Sequence, residues 1–155
     1  MLKEVINYSW MEFDEDIRKL TKWIDSTGIK PDYIVGIMRG GAVPAICLSH
    51  ILHVPVKLLS WSLRDGNEKD ILALEQISID CALGKKILIV EDIVDSGETL
   101  SQIKHNLGEH AKDSVKYISL WFNIHQHQRI DWYGKVIRRH EDDRYIMFPW
   151  ENNGT

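Results

Sequence analysis

Residues 87–100 read ILIVEDIVDSGETL, and this stretch decides the predicted fold. Its first four residues are apolar and three of them are β-branched, a pattern typical of a strand that is buried on both faces. Leu100, Ile103 and Leu107 then recur at helical spacing and predict a helix that ends at Gly108. A buried strand followed by a helix predicts a parallel α/β sheet, and we expect the chemistry at the polar turn between the two elements.

The polar turn in this stretch carries carboxylates, hydroxyls and a glycine. The adjacent carboxylates of Glu91 and Asp92 can accept hydrogen bonds from a pair of ribose hydroxyls, or can hold a hard cation such as Mg²⁺. The backbone N–H groups of residues 95–99 open the following helix, and the N-terminus of a helix favours an anion such as phosphate. The turn therefore fits a phosphorylated sugar. An ordinary strand-to-helix turn, with Asp95 or Ser96 as the N-cap, has the same composition.

The same stretch resembles the phosphoribosyl pyrophosphate (PRPP) motif of the type I phosphoribosyltransferases. That motif is a hydrophobic strand, two acids, two apolar residues and then Asp-Ser/Thr-Gly-x-Thr, and every position is filled here. The resemblance implies that Asp95 is the catalytic carboxylate. It also implies that Glu91 and Asp92 bind the ribose and, directly or through water, Mg²⁺. The 5′-phosphate is expected to lie against the turn formed by Asp95, Ser96, Gly97, Glu98 and Thr99.

A second unit of strand, glycine turn and helix comes earlier in the chain. The apolar run Tyr33–Met38 predicts another buried strand, and an apolar helix is predicted over Ala42–Leu52. Between them, Arg39 is followed by two glycines, which taken alone are more typical of a tight turn than of a ligand loop. This turn nevertheless resembles the pyrophosphate loop of the purine-salvage phosphoribosyltransferases. The resemblance implies that Arg39 and Gly40 contact pyrophosphate, with a cis peptide bond between them.

A polar segment at residues 64–70 separates two apolar runs, residues 54–61 and 71–79, and we interpret the three together as a flexible hairpin. Composition alone fits an ordinary solvated turn. In the family that the chain resembles, a loop at this position closes over PRPP and excludes water. Ser62 matches the serine of that loop and is expected to contact pyrophosphate, whereas Leu63 replaces the aromatic residue that usually follows. Two basic residues are further candidate pyrophosphate contacts, Arg64 and Lys69.

The segment after the central helix predicts the base site. Residues 114–122 form the next apolar run, so Asn123 is expected at the same edge of the sheet as the acids. Relatives that act on 6-oxopurines usually have a lysine here, and an amide can donate to a 6-oxo group or accept from a 6-amino group. The C-terminal residues 142–151 resemble those of xanthine-guanine and hypoxanthine-guanine phosphoribosyltransferases. That resemblance implies that Tyr145 and Ile146 sandwich the purine.

Length, composition and charge limit the remaining possibilities. With 155 residues and 44% hydrophobic content, the chain is expected to form a single domain, with a hood built from residues near 1–10 and 123–155. The net charge of −4 argues against nucleic acid or membrane surfaces as partners, and no apolar run approaches the roughly 20 residues of a membrane span. Two cysteines form neither a disulfide framework nor a metal set, which favours a reducing cytoplasm. The resemblance implies a homodimer or homotetramer.

Together, the matched segments imply a type I phosphoribosyltransferase fold: an α/β domain with a parallel sheet flanked by helices, a flexible hairpin and a small hood. The implied function is purine salvage, in which the 5-phosphoribosyl group of PRPP is transferred to guanine, xanthine or hypoxanthine, giving the nucleoside 5′-monophosphate and pyrophosphate. Two alternatives stay open. One is a non-catalytic regulator that binds PRPP or a nucleotide with the same fold, which the departures at Leu63 and Asn123 favour. The other is a phosphoribosyltransferase for adenine.

Overall fold

A computed structural model describes residues 3–63 and 68–151 of the chain. Its strands are β1 (Val5–Asn7), β2 (Tyr33–Met38), β3 (Val56–Ser60), β4 (Ile87–Val94), β5 (Val115–Asn123), β6 (Trp132–Ile137) and β7 (Tyr145–Met147). Its helices are α1 (Trp10–Thr27), α2 (Ala42–Leu52), α3 (Ile71–Ala82) and α4 (Glu98–Leu107), with a short 3₁₀ helix at Glu109–Ala111.

Five of these strands form one parallel sheet in the order β3-β2-β4-β5-β6, so β4 lies at its centre. β4 pairs with β2 on one side and with β5 on the other. Its first half, residues 87–90, is buried, as the apolar run predicts. Because all five strands run in the same direction, their carboxyl ends meet along one edge of the sheet. The predicted α/β fold with a parallel sheet flanked by helices is confirmed.

Helices cover both faces of the sheet and pack on alternate side chains of β4. Leu88 and Val90 belong to a core shared with α1 and α2, whereas Ile87 and Ile89 belong to a core shared with α3 and α4. Within residues 3–63 and 68–151, no helix is both long enough and apolar enough to cross a membrane. Because β4 is packed between the two cores, the position of the polar residues at its carboxyl end is fixed.

The two ends of the described chain form a second, two-stranded parallel sheet, in which β1 pairs with β7. A buried network joins this small sheet to the main body. Tyr8 donates a hydrogen bond to Asp16 of α1 at 2.5 Å, and the Nζ atom of Lys135 in β6 lies 3.5 Å from the same carboxylate. The small sheet thereby comes to lie beside the carboxyl edge of the main sheet, where Tyr145 and Ile146 share a cavity with Asp95.

The range predicted for the hood, residues 123–155, is too wide, because Trp132–Ile137 form β6 of the main sheet. β6 is an edge strand whose residues are mostly half-buried or exposed. An edge strand of this kind needs no continuous apolar run, and the sequence of β6 has none. The assignment of the small sheet as a hood over the base stays a prediction.

The strand predicted for residues 71–79 is wrong, because Ile71–Ala82 form the helix α3. Asp70 caps this helix by accepting a hydrogen bond from the backbone N–H of Ala73 at 3.0 Å. The sequence of α3 is mostly apolar and rich in isoleucine, and such a run considered alone favours a strand. Three buried side chains at helical spacing pack α3 into the core: Leu74, Ile77 and Cys81.

The predicted hairpin is therefore reduced, in the part of the chain that the structure describes, to one antiparallel bridge between Trp61 and Lys69. The backbone N–H of Ser62 also donates a hydrogen bond to the carbonyl of Glu68 at 2.7 Å, so both sides of the loop meet at its base. Arg64, one of the candidate pyrophosphate contacts, lies outside the described residues.

Candidate active site

Two adjoining cavities open at the carboxyl edge of the sheet, beside the end of β4. The larger has a volume of about 700 Å³ and the smaller a volume of about 250 Å³. Ile93, Asp95 and Ser96 line both of them. The predicted catalytic carboxylate thus lies where the two cavities meet, and their sizes suit a small-molecule ligand with two distinct parts.

The turn between β4 and α4 lines the smaller cavity with Ser96, Gly97 and Thr99. Gly97 is the N-cap of α4 and has a φ of 82°, a left-handed conformation that favours glycine. A Cβ atom at this position would also lie 2.4 Å from the Oε1 atom of Gln126. No carboxylate caps the helix: the backbone N–H of Glu98 donates instead to the Ser96 hydroxyl at 3.2 Å. The positive end of α4 therefore faces the cavity and can bind an anion.

Glu91 and Asp92 lie near the end of β4 as two adjacent, half-buried carboxylates. Burial, together with the charge of Asp92, raises the pKa of Glu91 well above its usual value. Burial, together with the charge of Glu151, raises the pKa of Asp92 to about 6. Among the described residues, no lysine, arginine or histidine forms an ion pair with either group. A hard cation at this pair would supply the missing positive charge.

The glycine turn after β2 packs tightly against these acids. A Cβ atom at Gly40 would lie 1.8 Å from the Oδ2 atom of Asp92, so only glycine fits there without moving the carboxylate. The neighbouring Arg39 is exposed. The cis peptide bond lies between Met38 and Arg39, where β2 ends, and not between Arg39 and Gly40 as predicted. The structure therefore brings the glycine turn after β2 close to Glu91 and Asp92, although the turn and the acids are about 50 residues apart in the chain.

Arg139, which the sequence did not single out, forms an ion pair with Asp95 that uses both carboxylate oxygens. Its Nε atom lies 2.8 Å from Oδ1 and its Nη2 atom lies 3.0 Å from Oδ2. Its Nη1 atom donates to the backbone carbonyl of Arg144 at 2.5 Å and, more weakly, to that of Asp142 at 3.5 Å. A guanidinium that pairs with a carboxylate through two parallel hydrogen bonds is held in one orientation. Arg139 thus connects the turn between β4 and α4 to the segment that precedes β7.

Asn123 ends β5 and also lines the larger cavity, but its amide is engaged with the backbone. Its Nδ2 atom donates to the carbonyl of Asp95 at 2.9 Å. Its Oδ1 atom accepts from the N–H groups of His125 and Arg139, at 3.1 and 3.3 Å. The side chain is only 6% exposed. Asn123 therefore fixes the positions of the segments that carry Asp95 and Arg139.

A family model described as "Phosphoribosyl transferase domain" matches residues 8–151, which is most of the chain. The chain belongs to the phosphoribosyltransferase family. The two cavities, the anion-binding turn and the acid pair are its candidate active site.

Individual relatives of this phosphoribosyltransferase agree with the family match. A xanthine-guanine phosphoribosyltransferase from Cereibacter sphaeroides is 29% identical over 158 residues, covering 92% of this chain and 84% of the relative. A purine phosphoribosyltransferase structure from Pyrococcus horikoshii superimposes with a TM-score of 0.72 at 25% identity, covering 98% of this chain and 97% of the other. A xanthine-guanine-hypoxanthine phosphoribosyltransferase structure from Helicobacter pylori also gives 0.72 at 25% identity, covering 97% and 94%.

Three of the remaining predicted site residues line the same two cavities, whereas Glu98 and Lys69 line neither, and the same holds for Arg39 and Gly40. Ser62 lines the smaller cavity. Tyr145 and Ile146 line the larger one; Tyr145 is 44% exposed and donates a hydrogen bond to Glu151 at 3.0 Å, whereas Ile146 is 3% exposed and packs mainly into the core. Glu98 is exposed and lines neither cavity. The group that Glu98 places at the turn is its backbone N–H, which donates to the Ser96 hydroxyl in this structure.

Proposed function

We propose that this phosphoribosyltransferase acts in purine salvage and transfers the 5-phosphoribosyl group of PRPP to a ring nitrogen of guanine, xanthine or hypoxanthine. The observation that carries the proposal is the position of Asp95, at the junction of the two cavities. The smaller cavity contains the anion-binding turn and suits the 5′-phosphate. The larger contains Tyr145 and Ile146 and suits the base. The sugar carbon C1′, which exchanges its bond to pyrophosphate for a bond to the purine, would then lie near Asp95.

On the phosphate side, the N–H groups of the turn and the hydroxyls of Ser96 and Thr99 hold the 5′-phosphate. Glu91 and Asp92 accept hydrogen bonds from the ribose hydroxyls and hold Mg²⁺. This acid pair fits the metal because it is half-buried and has no cationic partner among residues 3–63 and 68–151. Magnesium commonly takes only one or two protein carboxylates and completes its shell with substrate oxygens and water. Three groups hold the pyrophosphate: Arg39, Gly40 and Ser62.

In the reaction, the bond between the sugar carbon C1′ and pyrophosphate breaks and a bond from C1′ to the purine nitrogen forms. The transition state resembles an oxocarbenium ion, so the protein contributes mainly by holding sugar and base in line and by excluding water. Glu91 and Asp92 would hold Mg²⁺, which would supply positive charge to stabilise the departing pyrophosphate. Asp95 accepts the hydrogen bond from the purine N7 and holds its proton. Asn123 keeps the backbone of Asp95 in place.

The direct test is incubation of the full chain with PRPP, Mg²⁺ and a panel of guanine, xanthine, hypoxanthine and adenine. Chromatography would measure nucleotides, and a coupled assay would measure pyrophosphate. We expect equal amounts of nucleoside monophosphate and pyrophosphate with at least one 6-oxopurine. Binding of PRPP without turnover on any base would instead favour the regulator, and turnover with adenine alone would favour an adenine phosphoribosyltransferase.

Gly40→Ala is expected to weaken the binding of Mg²⁺ and PRPP about 10-fold, the usual size of effect when a residue that supports a metal ligand is changed. The reason is steric: the added Cβ would lie 1.8 Å from Asp92 Oδ2 and must displace that carboxylate. Calorimetric titration with PRPP and Mg²⁺ measures the change. Gly28→Ala is the control, because a Cβ there meets nothing within 4 Å and only strains the end of α1. Equal PRPP affinity in both variants would contradict the proposed role of Asp92 in binding Mg²⁺ and PRPP.

We also propose that the enzyme is a cytoplasmic homodimer or homotetramer that binds neither nucleic acid nor membranes. The resemblance to the purine-salvage phosphoribosyltransferases supports self-association, and the described surface carries large apolar side chains that an interface could cover. Met11, Leu72 and Leu83 are 74%, 78% and 72% exposed. Light scattering on the purified chain would measure the molar mass, and a value near the 18.0 kDa of one chain would contradict the oligomer.

A further inference from the structure

Three cationic side chains line the larger cavity, Lys3, Arg139 and Arg144, and of these only Arg139 forms an ion pair with Asp95 among the described residues. Arg139 follows β6 and lines the larger cavity, and its side chain is 21% exposed. The cavity also contains Tyr145, Ile146 and Asp95. Arg139 therefore lies beside the predicted catalytic carboxylate, on the side where the base is proposed to bind.

The hydrogen bonds of Arg139 leave one donor available. A guanidinium has five N–H donors. Two of them point to Asp95, and two point to the carbonyls of Arg144 and Asp142. Among the described residues, the fifth has no partner, and it belongs to Nη2, the nitrogen that lies 3.0 Å from Asp95 Oδ2. The cavity thus presents a carboxylate acceptor and a guanidinium donor side by side.

This arrangement complements one edge of a 6-oxopurine. On that edge the ring nitrogen N7 and the exocyclic group at position 6 are neighbours, and the O6 atom of guanine is an acceptor to which arginine donates in nucleic acids. With N7 protonated and bonded to Asp95, a 6-oxo group would accept from Nη2. A 6-amino group would instead place its own donors against the guanidinium and leave both unpaired.

The amide that could otherwise read position 6 is already engaged. Asn123 Nδ2 donates to the backbone of Asp95, and Asn123 Oδ1 accepts from two backbone N–H groups. A carbonyl oxygen with two bonds has its lone pairs occupied, so Asn123 is not placed to accept from a 6-amino group. Arg139 is the side chain that places a donor directly beside Asp95, with Nη2 lying 3.0 Å from Asp95 Oδ2.

We infer that Arg139 is the specificity-determining residue that binds the 6-oxo group of the purine, while Asp95 binds N7. This inference rests on the proposed function and deepens it. The two backbone carbonyls that Arg139 also binds belong to the segment leading into β7. Recognition of the base and positioning of Tyr145 therefore depend on the same side chain, the guanidinium of Arg139.

The test is the ratio of kcat/KM for hypoxanthine to kcat/KM for adenine in Arg139→Gln. Glutamine can donate to a 6-oxo group or accept from a 6-amino group, so we expect the ratio to fall about 10-fold or more. Arg139→Lys keeps a cationic donor and should retain most of the preference. Arg138→Gln is the matched control, because Arg138 is the exposed neighbour and should leave the ratio unchanged.

A second measurement does not depend on turnover. The affinities of hypoxanthine and adenine nucleoside monophosphates, measured by calorimetry, should converge in Arg139→Gln and stay apart in the wild type. If Arg139→Gln does not fold, Arg139→Lys provides the test. Loss of the preference for hypoxanthine over adenine in Arg139→Lys, which lacks the bidentate pair with Asp95, would overturn the inference. A uniform loss for all bases in Arg139→Gln would also overturn it, since that result indicates a structural role. A wild type inactive on every purine would contradict the proposed function itself.

Discussion

Asp95→Asn is expected to lower kcat by about 10² to 10⁴, the usual contribution of a positioned acid or base. The amide has nearly the same shape as the carboxylate but cannot hold the purine proton. The PRPP site is mostly unchanged, because the turn that binds the 5′-phosphate does so through backbone groups and hydroxyls. Steady-state kinetics with PRPP and hypoxanthine, together with calorimetric titration of PRPP, separate the two quantities. A kcat near that of the wild type would remove Asp95 from the mechanism.

The control for this variant must remove a carboxylate elsewhere. Asp113→Asn serves, because Asp113 is exposed and lies at the opposite, amino end of the sheet. The substitution at Asp95 also disturbs the pair with Arg139, since an amide accepts only one of its two hydrogen bonds. The carboxylate is 45% exposed, so the loss of stability should stay below about 1 kcal/mol. Thermal unfolding of both variants checks that a lower kcat is not a folding defect.

The fold was predictable because its central strands carry a strong local signal. β2 and β4 are buried on both faces and therefore appear in the sequence as uninterrupted apolar runs. The turns that follow them contain the residues of the PRPP motif and of the pyrophosphate loop. The parallel sheet then brings both turns to one edge, which explains why most of the predicted site residues lie together.

Elements without such a signal were missed or misread. β6 is an edge strand without an apolar run, and β1 has only three residues. α3 has high apolar content with several isoleucines, and only the packing of its buried face and the cap from Asp70 distinguish it from a strand. The local sequence pattern identifies a strand clearly only where both faces of the strand are buried and the strand is long.

Arg139 could not be found from the sequence for a different reason. Its partner Asp95 is 44 residues away, and the pair exists only because β5 and β6 bring the two segments to the same edge. The prediction placed the base-reading role on Asn123 from its position in the motif alone. The structure adds that the Asn123 amide is bound to backbone groups. Side-chain roles that depend on which hydrogen bonds are already made require the three-dimensional arrangement.

Asp92→Asn is expected to have opposite effects on function and stability. It should weaken binding of Mg²⁺ and PRPP about 10- to 100-fold, because an amide is a poorer ligand for a hard cation than a carboxylate. In the absence of metal it should raise the free energy of unfolding at pH 7.5 by on the order of 1 to 2 kcal/mol, because it removes a charge from a half-buried site next to Glu91. Asparagine Oδ1 can still accept the hydrogen bond from the backbone N–H of Ile93, so the local geometry is kept.

The sign of the pH dependence follows from the pKa of Asp92, which burial raises to about 6 from an ordinary value of 3.8. Between these values the folded wild type binds the proton more tightly than the unfolded chain, so its stability increases as the pH falls. The stability advantage of Asp92→Asn should therefore be greatest above pH 6 and should disappear as the pH approaches 4. Thermal unfolding in a chelator from pH 4 to 8 measures this, with Asp113→Asn as control. A variant less stable than the wild type at pH 7.5 would mean that this carboxylate stabilises the free protein, and the acid pair would then lose its interpretation as a site that requires a cation.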